Sequence, residues 1–262
     1  MSNHSQLKIF SPLITKKSEY FKKIKLSKIK GAAPYQLDWT FIFEYIDKHK
    51  HENKKKQCVI LDVGCGSGTL LYLLREAGFS NVLGVDPHID RDIKYNNGLR
   101  IFCQEVQEVK GSWDLIMFHH SFEHMRDPLK VLQSVSRLLA ADGCCLIRIP
   151  VVSSFAWENY GVHWVQLDAP RHFFLHSLNS LRTLAMREKF HLEDIVFDSD
   201  EFQFWGSEQY KQGISLRSNR SYSVNPGQSI FSQKQMDGFQ ERAKRLNLDA
   251  RGDQAAFYLK KD

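Results

Sequence analysis

"VILDVGCGSGTL", residues 59–70, decides the fold. Val59, Ile60, Leu61 and Val63 form a β-prone run around one acid, Asp62; the run breaks into Gly64-Cys65-Gly66-Ser67-Gly68 and restarts as a leucine-rich helix. Glycine at alternate positions is costly for a folded chain, so the pattern implies a close approach to that backbone. A glycine-rich turn between the first strand and helix of an α/β sheet lies at its ligand crevice. Missing Cβ atoms admit the ligand, and the helix N-terminus offers unpaired N–H groups.

Outward from this stretch, strands alternate with helices. "TLLYLLREAG" reads as a helix stopped by Gly78, "NVLGVDP" as a strand, "LRIFCQ" as a short strand and "WDLIMFHH" as another. Asp127-Pro128 starts a helix with the stripe Leu129, Leu132, Val135 and Leu139, ended by Gly143, and "CCLIRIPVV" is the next strand. These strands are continuous apolar runs, the mark of a parallel sheet covered on both faces. The fold class expected is α/β, a doubly wound, mostly parallel, seven-stranded sheet. Further on, "SLNSLRTLAMREKF" and "FSQKQMDGFQERAKRLN" read as helices, and "HLEDIVFD" and "QAAFYLKK" as strands. The aromatic stretch at 152–176 is expected to be a mobile lid, and 201–247 an insertion with a long connection, since long connections tend to be functional.

The 262 residues suit one large α/β domain, 57–262, preceded by a basic helical extension, 1–56, whose helix is read over 36–50. That extension holds 13 lysines against 5 acids, a balance of +8; with +6 for the whole chain, the rest carries −2. It is read as a solvated surface, with contact to nucleic acid, anionic lipid or a phosphorylated substrate as the alternatives. No apolar run approaches the ~18 residues of a membrane span, and no secretory apolar block follows the basic start, so a cytoplasmic protein is expected. The five cysteines contain no C-x-x-C pair, which argues against a disulfide framework or a structural zinc site.

The register of the glycines discriminates among nucleotide sites. A dinucleotide fingerprint is G-x-G-x-x-G, and Thr69 stands where its third glycine would fall; no Gly-Lys-Ser/Thr follows, which excludes a phosphate loop. Asp86 closes "LGVDP" about twenty residues on, where a carboxylate accepts both hydroxyls of a ribose.

The chain resembles the class I S-adenosylmethionine-dependent methyltransferase family, from "VILDVGCGSG" through "GVDP", "WDLIMFHHSFEHMRDP" and "LLAADGCCLIRIP", about residues 57–151. "FEHMRDPLKVLQSVSRLLAADG" is similar to the branch that methylates small molecules, including ubiquinone precursors and sugars. "WVQLDAPRHFFLHS" and "LNLDARGDQAAFYLKK" resemble bacterial members tied to polysaccharide synthesis at the cell surface. The resemblance implies S-adenosylmethionine as cofactor, S-adenosylhomocysteine as product, and a small-molecule or sugar-linked acceptor. It implies that Gly64, Cys65 and Gly66 face the methionine and ribose, and that Asp62 organises the loop through hydrogen bonds. Asp86 then holds the ribose, Pro87-His88 packs near the adenine, Glu105-Val106 meets the adenine edge, and His119 offers backbone to the methionine amino group. Glu105 departs from the family, where aspartate is commoner.

Methyl transfer to a hydroxyl asks for a base, and histidine suits neutral pH. "FHHSFEH" supplies His120 and His124, and "VHWVQLDAPRH" supplies His172 beside Asp168 and Arg171. His120 is placed ahead of His172 and His124. Asp168 and Arg171 are read either as acceptor contacts or as a pair that holds the lid, and Trp164 either as core or as a wall on which a sugar ring stacks. His120-x-x-Glu123-His124 resembles the divalent-metal register of ubiquinone-type O-methyltransferases, but His120 replaces its first carboxylate, and hard cations prefer oxygen; no metal is assigned. Rival readings are an RNA methyltransferase that uses the lysine-rich arm, a nucleotide-dependent oxidoreductase, and a catalytically silent partner protein.

Overall fold

The computed structural model describes residues 57–262, so the basic extension 1–56 and the helix read over 36–50 lie outside the described residues. Eight strands form one sheet: β1 (Ile60–Val63), β2 (Val82–Val85), β3 (Ile93–Lys94), β4 (Arg100–Phe102), β5 (Trp113–His119), β6 (Leu139–Pro150), β7 (Phe190–Phe197) and β8 (Gln254–Lys261). Their spatial order is β3-β4-β2-β1-β5-β6-β8-β7. Pairings between β4 and β6 through the centre are parallel, while β3, β7 and β8 pair antiparallel at the two edges. The strand beyond the expected seven is the two-residue β3, folded back on β4 by the turn Tyr95–Gly98, in which Gly98 takes φ 83°.

Successive residues of the central strands supply opposite faces. Leu61, Ile116, Phe118, Cys145 and Ile147 join one buried cluster, whereas Ile60, Leu115, Met117, Cys144 and Leu146 join the other. With both faces covered, every side chain must be apolar, which is why the strands read as unbroken apolar runs. Helix α1 (Thr69–Glu76) covers the second face through Leu70, Leu71 and Leu74. Helices α2 (Pro128–Leu138) and α4 (Leu178–Arg187) cover the first. The α2 start is as expected: Asp127 accepts the Lys130 N–H at 3.0 Å, with Pro128 at the first helical position. Its end is not. Gly143 does not stop it; Leu139 is already extended and pairs with Trp113 on β5, so β6 begins straight after α2.

The second half holds two helices read from sequence only as loop. They are α3 (Phe155–Tyr160) and α5 (Phe202–Lys211), and α6 (Gln233–Leu248) follows them. Much of the buried face of α5 is polar, so it lacks the apolar stripe. Ser207 donates to the Gln203 carbonyl at 2.7 Å, and the Gln209 side chain donates to Ser221 Oγ at 3.1 Å and accepts from Tyr222 N at 2.7 Å. Ala156, Tyr160, Trp164, Phe204, Ala243 and Leu246 form a third cluster, so the first part of the expected lid is anchored. Trp164 is 0% exposed, and its indole N–H donates to Asp253 at 2.9 Å. Its side chain is thus packed inside the third cluster. Cys103, read as lying in an apolar strand, is exposed beyond β4. Among the described residues no helix is long and apolar enough to cross a membrane.

Trp164→Ala should destabilise the chain by about 3–5 kcal/mol, as expected when a large buried aromatic leaves a cavity. Urea unfolding measures this, and a loss under 1 kcal/mol would mean the 155–167 segment is only loosely packed.

Candidate active site

β1 neighbours β2 on one side and β5 on the other, so the chain changes direction across the sheet at the carboxyl end of β1. That crevice is where open α/β sheets bind ligands. The glycine loop lies there. Gly64 takes φ 75°, and a Cβ on it would lie 2.4 Å from Ser121 Cβ; one on Gly68 would lie 2.3 Å from Ile101. Gly66, at φ 55°, would meet nothing within 4 Å. Two of the three glycines therefore answer to packing inside the protein, and Gly66 alone opens onto free space.

Asp86, 8% exposed at the end of β2, accepts the Gly66 N–H on Oδ2 and the His88 N–H on Oδ1, both at 2.8 Å. Asp62 is buried in β1, and burial, with Asp86 second, pushes its carboxyl up to about 8. Cys65 packs inward against Gly84, and burial raises its thiol. Ser67 and residues 88–94 line a cleft of about 580 Å³ beside Asp86 and Pro87. Glu105 caps a short 3₁₀ turn, Val106–Glu108, with Glu108 returning a bond to its N–H; the Val106 side chain is buried, so only its backbone can meet a ligand.

At the end of β5 the histidines separate by role. His119 has a buried ring, and burial lowers its pKa to about 3, so only its backbone is free for the role implied. His120 takes φ 50°, a strained region for such a residue. Its Nε2 lies 2.8 Å from Arg148 Nη1, and its Nδ1 lies 3.5 Å from Glu123 Oε1. Arginine only donates, so the Nε2 lone pair is committed to Arg148 and the proton sits on Nδ1. In this arrangement the ring of His120, the first-choice base, has its Nε2 lone pair engaged by Arg148. Arg148, a charge within the apolar run "CCLIRIP", is held in turn by Asp198 at 2.6 Å.

His124 and His172 differ. The Nδ1 of His124 lies 2.8 Å from the Arg171 carbonyl, and that of His172 lies 2.8 Å from the Gln166 carbonyl. A carbonyl only accepts, so each Nδ1 carries a proton, and in the neutral ring the lone pair is on Nε2. The rings are 4.8 Å apart. Burial, reinforced by His124, lowers the His172 pKa, with Glu123 and Asp168 acting in the other direction. Asp168 and Arg171 form an ion pair, the second of the readings offered for them, and Asp168 Oδ2 also lies 3.8 Å from His172 Nε2. Glu123 anchors the whole segment, since its carbonyl accepts the Phe173 and Phe174 N–H groups at 2.9 and 3.2 Å. Ser121, Arg148, Asp198 and Asp253 were missed as supporting residues; only Arg148, as the lone charge in the apolar run "CCLIRIP", left a readable signal.

The methyltransferase-domain family matches residues 35–194. A ubiquinone biosynthesis O-methyltransferase of Haemophilus ducreyi is 33% identical over 99 residues, 32% of this chain and 42% of that protein. A tRNA U34 carboxymethyltransferase of Alcanivorax borkumensis is 27% identical over 132 residues, 46% of this chain and 41% of that protein. The chain therefore spans less than half the length of these relatives. A chain from the solved complex of the Haloferax volcanii Trm112 methyltransferase activator with a methyltransferase matches with TM-score 0.51 and 14% identity, over 85% of this chain and 88% of that one, a likeness of fold.

Gly64→Ala should cost about 2–4 kcal/mol in urea unfolding, through left-handed strain and collision with Ser121. Gly66→Ala should cost about half as much or less, because its surroundings are open. Equal losses would contradict the separation of the two glycines. Asp62 gives a pH signature. Its folded carboxyl is raised, so the fold favours the neutral form, and stability is lost as pH rises from about 4 toward about 8. Asp62→Asn should gain stability relative to the parent across that window, and a difference constant between pH 5 and pH 8 would count against it.

Proposed function

The chain belongs to the methyltransferase-domain family, and on that premise we propose that it transfers a methyl group from S-adenosylmethionine to an oxygen of a small metabolite, a sugar-linked precursor of cell-envelope polysaccharide being favoured. The observation that carries this reading is the Asp86–Gly66 pair at the switch point of the sheet. Each Asp86 oxygen accepts one backbone N–H and keeps a further lone pair, and the open space above Gly66 lies beside it. A ribose diol with an adjoining amino-acid arm fits that pairing of acceptors and bare backbone. The cofactor, when bound, supplies a sulfonium-activated methyl carbon. The remaining work falls to the chain: the 152–176 segment excludes water, and the end of β5 receives the acceptor proton. Among the histidines there, His124 and His172 keep free Nε2 lone pairs, so the base role passes from His120 to this pair.

RNA is the second reading, favoured by the likeness to the tRNA-modifying relative and by the lysine-rich residues 1–56. A transfer assay with methyl-labelled cofactor against sugar nucleotides, lipid-linked sugars and total RNA separates the two. Label in the sugar fractions supports the first reading, and label in RNA alone replaces it. Asp86→Ala should weaken binding of S-adenosylmethionine and S-adenosylhomocysteine by roughly 2–4 kcal/mol, through loss of charge-assisted bonds. Calorimetry checks this, and an unchanged affinity in the folded variant would remove Asp86 as the ribose ligand.

A further inference from the structure

We propose that Glu123, His124 and His172 form a binding site for one divalent transition-metal ion of the zinc class, which joins the 152–176 segment to the end of β5. One donor atom from each residue lies within 4.8 Å of the other two. Both imidazoles are held as ligands are held, with Nδ1 2.8 Å from a backbone carbonyl, and the Nε2 of His172 lies toward Glu123. Glu123 is 0% exposed, and neither of its oxygens has a hydrogen-bond partner. A buried carboxylate is ordinarily paired, hydrogen-bonded or metal-bound. Here His172 Nε2 lies 4.0 Å from Oε1, beyond hydrogen-bond reach, with Asp168 Oδ2 a further 3.8 Å from that nitrogen. A cation among these donor atoms would satisfy the buried carboxylate.

The surroundings support the same set. His120 is not a ligand, because its Nε2 receives Arg148. It presents Nδ1–H toward Glu123 at 3.5 Å, the direction in which an outer residue orients a ligand carboxylate. This gives a reason for its strained φ of 50° and for the Arg148–Asp198 pair behind it. The ligand set thus differs from the His120, Glu123, His124 register visible in the sequence. Two imidazoles and one carboxylate suit zinc, cobalt or nickel better than magnesium, which prefers oxygen throughout. Zinc–ligand bonds of about 2.0–2.2 Å would draw the donors about an ångström closer. Three protein ligands leave a position of a tetrahedral ion open. The inference rests on the methyl-transfer reading and changes one part of it, since an Nε2 lone pair held by an ion no longer serves as the base; it is tested without cofactor or acceptor, so the two readings fail separately.

The test uses the full chain, stripped with a chelator and titrated with zinc by calorimetry, then with cobalt by visible spectroscopy. One ion per chain is expected, with cobalt d–d bands of a nitrogen- and oxygen-ligated site. His172→Ala and Glu123→Gln should each weaken zinc binding by at least about 100-fold, whereas His120→Asn, a residue tolerant of left-handed backbone, should keep one ion per chain with a loss nearer 10-fold. Circular dichroism checks the fold of each variant, and His124→Ala replaces any that does not fold. Absence of stoichiometric zinc overturns the proposal. So does a folded His172→Ala chain with the parent's affinity and cobalt spectrum, which would move the site off the lid.

Discussion

The Asp86 carboxylate is the point on which the ligand crevice depends. It closes β2, yet both of its oxygens accept backbone N–H groups, one from the loop after β1 and one from its own turn. These bonds tie Gly66, the middle of three alternate positive-φ glycines, to the end of β2. Asp62 pays the electrostatic consequence: buried next to Asp86, its carboxyl is driven toward neutrality. The two acids thus differ in setting: Asp86 is fixed by two backbone N–H groups at the crevice, and Asp62 lies buried behind it.

A second constraint works at the end of β5. The Glu123 backbone carbonyl receives Phe173 and Phe174, while its side chain faces His172. From the other side, Asp253 at the head of β8 accepts from Trp164 and Gln166, and the Gln166 carbonyl fixes the His172 tautomer. The segment that carries His172 is therefore positioned by two distant carboxylate-bearing residues, one on each side. Its aromatic content serves this anchoring first, as the complete burial of Trp164 shows.

The central sheet was legible because its physics is local and repetitive. Unbroken apolar runs report burial on both faces, and Asp127-Pro128 reports a helix start. The Gly64–Asp86 spacing was legible for the same reason, since each residue follows a strand end. What escaped was set by partners far along the chain. α5 buries glutamine and serine, whose hydrogen bonds to a loop replace the apolar stripe. His120 looked the best base by its position after β5, and only Arg148, opposite it on β6, removes its lone pair. His172 gained standing through carbonyls that no spacing rule connects to it.

The buried polar groups left without hydrogen bonds are not scattered. Among the described residues, five of the eight such atoms belong to His119, Glu123, His176 and Asp198. His176 bridges to Val151 just past β6, and its ring lies 5.5 Å from that of Phe122, so it shares the same end of the sheet. Folded proteins satisfy nearly all buried polar atoms, and the exceptions call for a cause. The apolar core shows that this sequence can fill space without them: facing residues of β1, β5 and β6 pack with complete burial. Concentrating unsatisfied donors and acceptors at the strand ends, in a shell otherwise rich in fixed tautomers and ion pairs, trades stability for a set of groups held ready for something outside the chain.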